Sequence, residues 1–198
     1  ENETTLIFNR NTGQTIYTYD PNYIVQNHIF LIHNGSIIVG DGHDHIFSGI
    51  FDDLGGSTHN NAVLTKAGNA NLILTNSANN YTGGTVIANG TITLNYANNL
   101  GSGLITFNGA SLTNATTANT VAKLNLNLSP ATYLSFNNTI LQNNILLSRD
   151  AIISNANDNT LAGRIYGSGI LVKQGVGNLT FDDSDSANDY TGGTIINN

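Results

Sequence analysis

"NNYTGGTVI" (79–87) comes back near the end of the chain as "NDYTGGTII" (188–196). The block has a physical logic. Paired glycines, Gly83-Gly84 and Gly192-Gly193, enter backbone conformations that other residues reach only at a cost, so the chain can turn sharply there. The tyrosine, Tyr81 or Tyr190, brings a large apolar body to the corner, with a hydroxyl that stays wet or finds a partner. Asn79 and Asn80 suit turns and can bond neighbouring backbone. Thr85-Val86-Ile87 then opens a β-branched strand, as Thr194-Ile195-Ile196 does in the second copy.

The repetition reaches well beyond the block. Ile24-Val25-Gln26-Asn27 matches Ile140-Leu141-Gln142-Asn143 at a shift of 116, and Gly49 matches Gly163 at 114. Lys66, six residues before Leu72, matches Lys173, six before Leu179, at 107; the tyrosine block follows at 109. The landmarks keep one order, which places copy one at about 22–95 and copy two at about 138–198 within a single 1–198 unit. The drifting shift puts about seven extra residues in "DDLGGSTHNN" (52–61) of copy one, and two in "DDSDSAND" (182–189) of copy two.

Composition narrows the class. Only 10% of the 198 residues are charged, the net charge is −7, and the six basic residues are scattered. Phosphate binding needs clustered Lys and Arg, so nucleic acid is not an expected partner. With no cysteine there is neither a disulfide framework nor a thiolate metal site. No apolar run approaches the roughly 18 residues of a membrane helix. The chain opens on Glu1 without Met or signal peptide, as a processed or excised segment would.

Polarity here comes from neutral groups. One residue in six is Asn, and there are 21 glycines. Between the polar clusters lie short runs such as "NLILT", "TITLN", "GLITF" and "KLNLNL", which alternate apolar and polar residues with period two. No stretch sustains a helical period. Such short strands cannot each bury a face alone, but stacked coils can share one core. The expected fold is all-β, a right-handed parallel β-helix (solenoid) with roughly 20–25 residues per coil.

The motif order resembles the passenger-associated β-strand repeat of bacterial autotransporters. That pattern runs G-x-I-x-G-x-G, then L-x-K-x-G-x-G-x-L-x-L, then N-x-Y-x-G-G-T. Copy two follows it through Gly163, Ile165, Gly167, Gly169, Leu171, Lys173, Gly175, Gly177, Leu179, Phe181, Asn188, Tyr190, Gly192, Gly193 and Thr194. Copy one departs at Asn69-Ala70 and carries the 52–61 insertion. The resemblance implies a passenger exported through an outer-membrane translocator barrel and displayed at the bacterial surface or released. That barrel would be C-terminal in the parent protein and is not in this sequence. In overall texture the Asn-rich chain also looks similar to a pro-angiogenic passenger of this class, which implies a pro-angiogenic role as an expectation.

Several residues then stand out. "GDGHDH" (40–45) brings His43, Asp44 and His45 together; His43 and His45, two apart, would share a strand face as metal ligands do, although a solvated turn is the favoured reading and no cofactor is expected. The insertion carries Asp52, Asp53 and His59 on a loop of the kind that forms binding faces in repeat scaffolds. Aromatics gather at the front, including Tyr17, Tyr19 and Tyr23. In "NHIFLIHN", Ile29 and Leu31 face inward only if Phe30 and Ile32 face outward. Such an outward strip suits either a protein interface or a capping turn. Around no serine is there a G-D-S-G or G-x-S-x-G stretch, and Arg149–Asp150 is one ion pair rather than an active site. The expected role is therefore non-enzymatic: binding of a host cell-surface protein or receptor. A stalk presenting an effector region elsewhere is the alternative.

Overall fold

A computed structural model describes residues 6–8, 14–18, 24–31, 35–39, 43–53, 62–109, 122–126, 140–182 and 187–197. Over these residues the chain is nearly all β, and every strand pairing is parallel. A seven-stranded sheet runs from Gln14–Thr18 to Ile165–Gly167, and an eight-stranded sheet from Ile24–Val25 to Thr194–Ile196. Two three-stranded sheets form the third face, Leu6–Phe8 with Ile29–Leu31 and Phe51–Asp52 at one end, and Ile140–Leu141 with Asn159–Leu161 and Leu179–Phe181 at the other. Between them the third face continues as single hydrogen bonds, Asn80 N to Phe51 O at 3.0 Å and Ser102 N to Tyr81 O at 3.1 Å. The chain visits the faces in one cyclic order, so each coil lays one rung on each face. This is the parallel solenoid the alternating runs imply.

Register fixes what is inside. One column of the seven-stranded sheet reads Leu64, Thr85, Ile105, Ile145 and Ile165, all buried. The next inward column reads Lys66, Ile87, Phe107, Leu147 and Gly167. In the eight-stranded sheet Leu72, Ile92, Leu124 and Ile153 stack in the same way. Identical faces meet at one rung per coil, so each added coil buries its apolar row on the last. Full burial of one such side chain is worth about 1.5–3 kcal/mol. Aromatic rings fill one corner of the prism: Phe47 to Phe51 is 5.9 Å between centroids and Phe51 to Tyr81 is 6.2 Å.

Coil length follows from the pairings. Thr85 lies on Ile105 and Ile145 on Ile165, twenty residues on in each case. Gly35 pairs with Leu64 across 29 residues, against 21 for Gln14 with Gly35, which locates the 52–61 insertion at one corner.

The two repeat copies occupy different faces. In copy one, Leu64–Ala67 and Thr85–Ile87 pair within the seven-stranded sheet, Leu64 on Thr85 and Lys66 on Ile87. In copy two the equivalent strands pair in the eight-stranded sheet, Leu171 on Thr194 and Lys173 on Ile196. Local geometry is preserved while the module is turned by one face. Its span is one closed coil: the strand that carries the lysine is covered by the strand that follows the paired glycines. In each pair it is the second glycine that takes the left-handed conformation, Gly84 at φ 96° and Gly193 at φ 82°. The interval of 107–116 residues is not a whole number of coils, so the second copy lands one face further round.

Candidate functional site

At each corner a strand ends and the ladder of backbone hydrogen bonds is interrupted, leaving N–H groups that need acceptors. Short side chains with a carbonyl or carboxylate oxygen supply them. Phe51 N donates to Asn79 Oδ1 at 3.0 Å, Ile165 N to Asn188 Oδ1 at 2.7 Å and Ile170 N to Asp150 Oδ1 at 2.9 Å. Arg164 N reaches Asn144 Oδ1, and Asn178 N reaches Asp158 Oδ1, which holds that carboxyl below its ordinary pKa. Buried amides link onward: Asn79 Nδ2 donates to Asn99 O at 2.8 Å, and Asn143 Nδ2 to Gly103 O at 2.7 Å. Among the described residues asparagine thus serves repeatedly at the corners.

Asp53 belongs to this set. It is 1% exposed, and its Oδ2 accepts from Thr82 N at 2.7 Å and from Thr82 Oγ1 at 2.5 Å. The carboxylate of the insertion's second residue therefore faces the corner of the next coil. Asp52, one residue earlier, points outward and is half-buried. Parity along the strand separates two adjacent aspartates into a structural and a surface group.

Outside, Asp52 meets Phe30. The two are register partners on the third face, with Ile29 and Leu31 fully buried and Phe30 half-exposed beside them. His28 stacks on Phe30 with ring centroids 4.2 Å apart, and its Nε2 lies 3.5 Å from Asp52 Oδ2. An aromatic face and a carboxylate are thus gathered on one surface at the root of the insertion, with the imidazole Nε2 buried beside the carboxylate. That mixture of flat apolar area and directional polar groups suits protein contact. His28 was not singled out by sequence, although its position two residues before Phe30, just ahead of the strand Ile29–Leu31, is a usable signal.

The remaining candidates fall apart from this patch or outside the description. Tyr17 lies on the strand Gln14–Thr18 of another sheet; Tyr19, Tyr23, Ile32 and His59 lie outside the described residues. His43 and His45, the weak metal candidates of the sequence, take different environments. His45 is 2% exposed, in register with the core residue Leu72, whereas His43 and Asp44 precede the strand and are exposed. Among the described residues no group of three or more His, Asp or Glu side chains converges as a metal site would require.

The repeat residues carry the strongest perturbations. Tyr81 is fully buried, its hydroxyl 2.5 Å from Thr85 Oγ1, and burial raises its pKa while that hydrogen bond opposes the rise. Tyr190 and Thr194 repeat the contact at 2.5 Å on an exposed coil. Lys66 is 0% exposed and its ammonium is pushed down to about 8 by desolvation. Its Nζ donates to Ala67 O, Gly68 O and Asn89 O at 2.9, 2.8 and 3.0 Å. Lys173 donates to Gly175 O in the same manner. The repeat lysine is therefore an interior cap of corner carbonyls, which its parity with Leu64 and Leu171 anticipates.

The family model for the passenger-associated-transport-repeat matches residues 64–94 and 171–198, well under half of the chain. No curated protein and no solved structure matches. The matched segments begin on the lysine-bearing strands and take in both tyrosine corners. Together with the parallel solenoid, this similarity supports an autotransporter passenger, a class that is secreted or surface-exposed.

Proposed function

We propose that this chain acts outside the bacterial cell, without catalysis, by binding a host cell-surface protein as an adhesin or receptor agonist. The His28–Phe30–Asp52 patch is its contact surface, and the insertion 52–61 and Tyr17, Tyr19 and Tyr23 are the further candidates that the sequence offers. One observation supports the reading above others: a solenoid whose corners are occupied with holding coils together carries here an outward ring, imidazole and carboxylate in mutual contact. The Asn-rich texture also resembles the pro-angiogenic autotransporter passenger of Bartonella, which makes endothelial cells the first host cells to try. The test is saturable binding of the chain to such cells, compared with Phe30→Ala, Asp52→Ala and a chain lacking 52–61. Loss of binding with folding retained supports the proposal. Unchanged binding by all three variants moves the site to the aromatic front, and absence of saturable binding by the unaltered chain favours a stalk that presents an effector region elsewhere.

A further inference from the structure

Stacking leaves Asn89 beside a backbone nitrogen that carries no bulk. Gly90 turns the corner after Thr85–Ile87 at φ 66°, and a Cβ there would stand 2.5 Å from Gly68 O and 2.7 Å from Ala70 O of the preceding coil. Only glycine fits, so the amide that follows Asn89 is the least hindered one available. The side chain of Asn89 turns back on it: Gly90 N donates to Asn89 Oδ1 at 2.8 Å. The carbonyl of the same peptide unit, Asn89 O, accepts from Lys66 Nζ at 3.0 Å. Ala67 O and Gly68 O hold that ammonium in place with two further charge-assisted bonds. Burial lowers its pKa only to about 8, so it stays charged at pH 7. A cation on an amide oxygen draws electron density from the amide nitrogen and makes the Gly90 N–H more acidic.

We propose that Asn89–Gly90 is a self-modification site, where the folded corner promotes cyclisation of the asparagine to a succinimide with loss of its side-chain amide as ammonia. Holding nucleophile and electrophile in contact replaces a chance encounter by a standing one. The bond from Gly90 N to Asn89 Cγ forms as the N–H proton passes to Oδ1, to which it is already hydrogen-bonded. That proton then moves to Nδ2, the Cγ–Nδ2 bond breaks and ammonia departs. Water opens the imide at either carbonyl and leaves aspartate or isoaspartate at position 89, with no oxidation or reduction. Each event adds a negative charge to the corner that Lys66 caps. The chain carries its own control, since Asn-Gly also stands at 34–35 and 108–109. Asn108 is exposed whereas Asn89 is half-buried, so solvent access alone would make Asn108 the faster. One coil on from Lys66 its column holds the uncharged Ile87, whose carbonyl accepts from Asn108 N at 3.0 Å.

The experiment is incubation of the whole chain at pH 7, native and in unfolding urea, with conversion at positions 89 and 108 followed by peptide mapping and mass spectrometry. In the native chain Asn89 should convert on the order of tenfold faster than Asn108. In urea, where both are ordinary Asn-Gly pairs, that advantage should vanish. Folded Lys66→Met should lose most of it. Native Asn89 converting no faster than Asn108, or the same ratio in urea, overturns the proposal, as does an undiminished advantage in folded Lys66→Met. Should Lys66→Met fail to fold, the native and urea ratios of the unaltered chain decide the matter.

Discussion

Replacing the same tyrosine in each repeat copy measures what a covering coil is worth. Tyr81 and Tyr190 have one sequence context and one hydroxyl contact, yet Tyr81 is 0% exposed and Tyr190 lies on a coil whose Ile196 is 73% exposed. Tyr81→Phe deletes a hydroxyl that pairs with the buried Thr85, whose own oxygen then has no water to turn to. The expected loss is about 1–2 kcal/mol, the cost of an orphaned buried polar group. That lowers Tm by about 2–8 °C in a chain of this size. Tyr190→Phe removes the same bond where solvent replaces it, and should stay within about 0.5 kcal/mol. Truncation widens the gap: Tyr81→Ala removes the ring packed on Phe51 and should cost about 3–5 kcal/mol. Thermal and urea unfolding followed by circular dichroism, with amide exchange read at 81–87 and 190–196, gives both numbers. Equal losses at the two positions would refute the argument that stacking, and not the local block, sets the energy.

The corner set gives further expectations. Asp53→Ala removes two charge-assisted hydrogen bonds to Thr82 and should cost about 2–3 kcal/mol, with faster exchange of the Thr82 amide as the local signature. Gly101→Ala places a Cβ 2.0 Å from Tyr81 O at φ 62°, so the corner must move and expression or Tm should fall sharply; Gly193→Ala, with nothing within 4 Å of its Cβ, bears only the left-handed penalty of about 1–2 kcal/mol. Arg164 forks onto Asp189 at 3.1 and 2.5 Å on an exposed face, and Arg164→Gln should leave the urea midpoint unchanged at about 0.15 M salt, where exposed pairs are screened. Raising the pH above 10 should destabilise the wild-type chain more than Tyr81→Phe, since the phenol whose pKa is raised in the fold loses its contribution there.

Sequence alone determined the class of fold and the unit of repetition. Period-two runs such as "NLILT" can only bury one face, and a chain of many short strands with no helix between them buries those faces by coiling upon itself. The same parity anticipated Ile29 and Leu31 inside with Phe30 outside, and the landmark shifts put the 52–61 insertion within the coil that lengthens, between Gly35 and Leu64. Tertiary structure decided what parity and order cannot. Which face a strand occupies depends on the summed length of every coil before it, so the rotation of copy two relative to copy one is invisible to local pattern. Whether an aspartate or histidine serves a corner or the solvent depends on which N–H of a neighbouring coil lies opposite. Asp53 met Thr82 and became structure, Asp52 met His28 and stayed on the surface, and His45 went into the core while His43 did not. Those meetings join residues some twenty to thirty positions apart, at distances set by stacking rather than by anything the chain encodes next to itself.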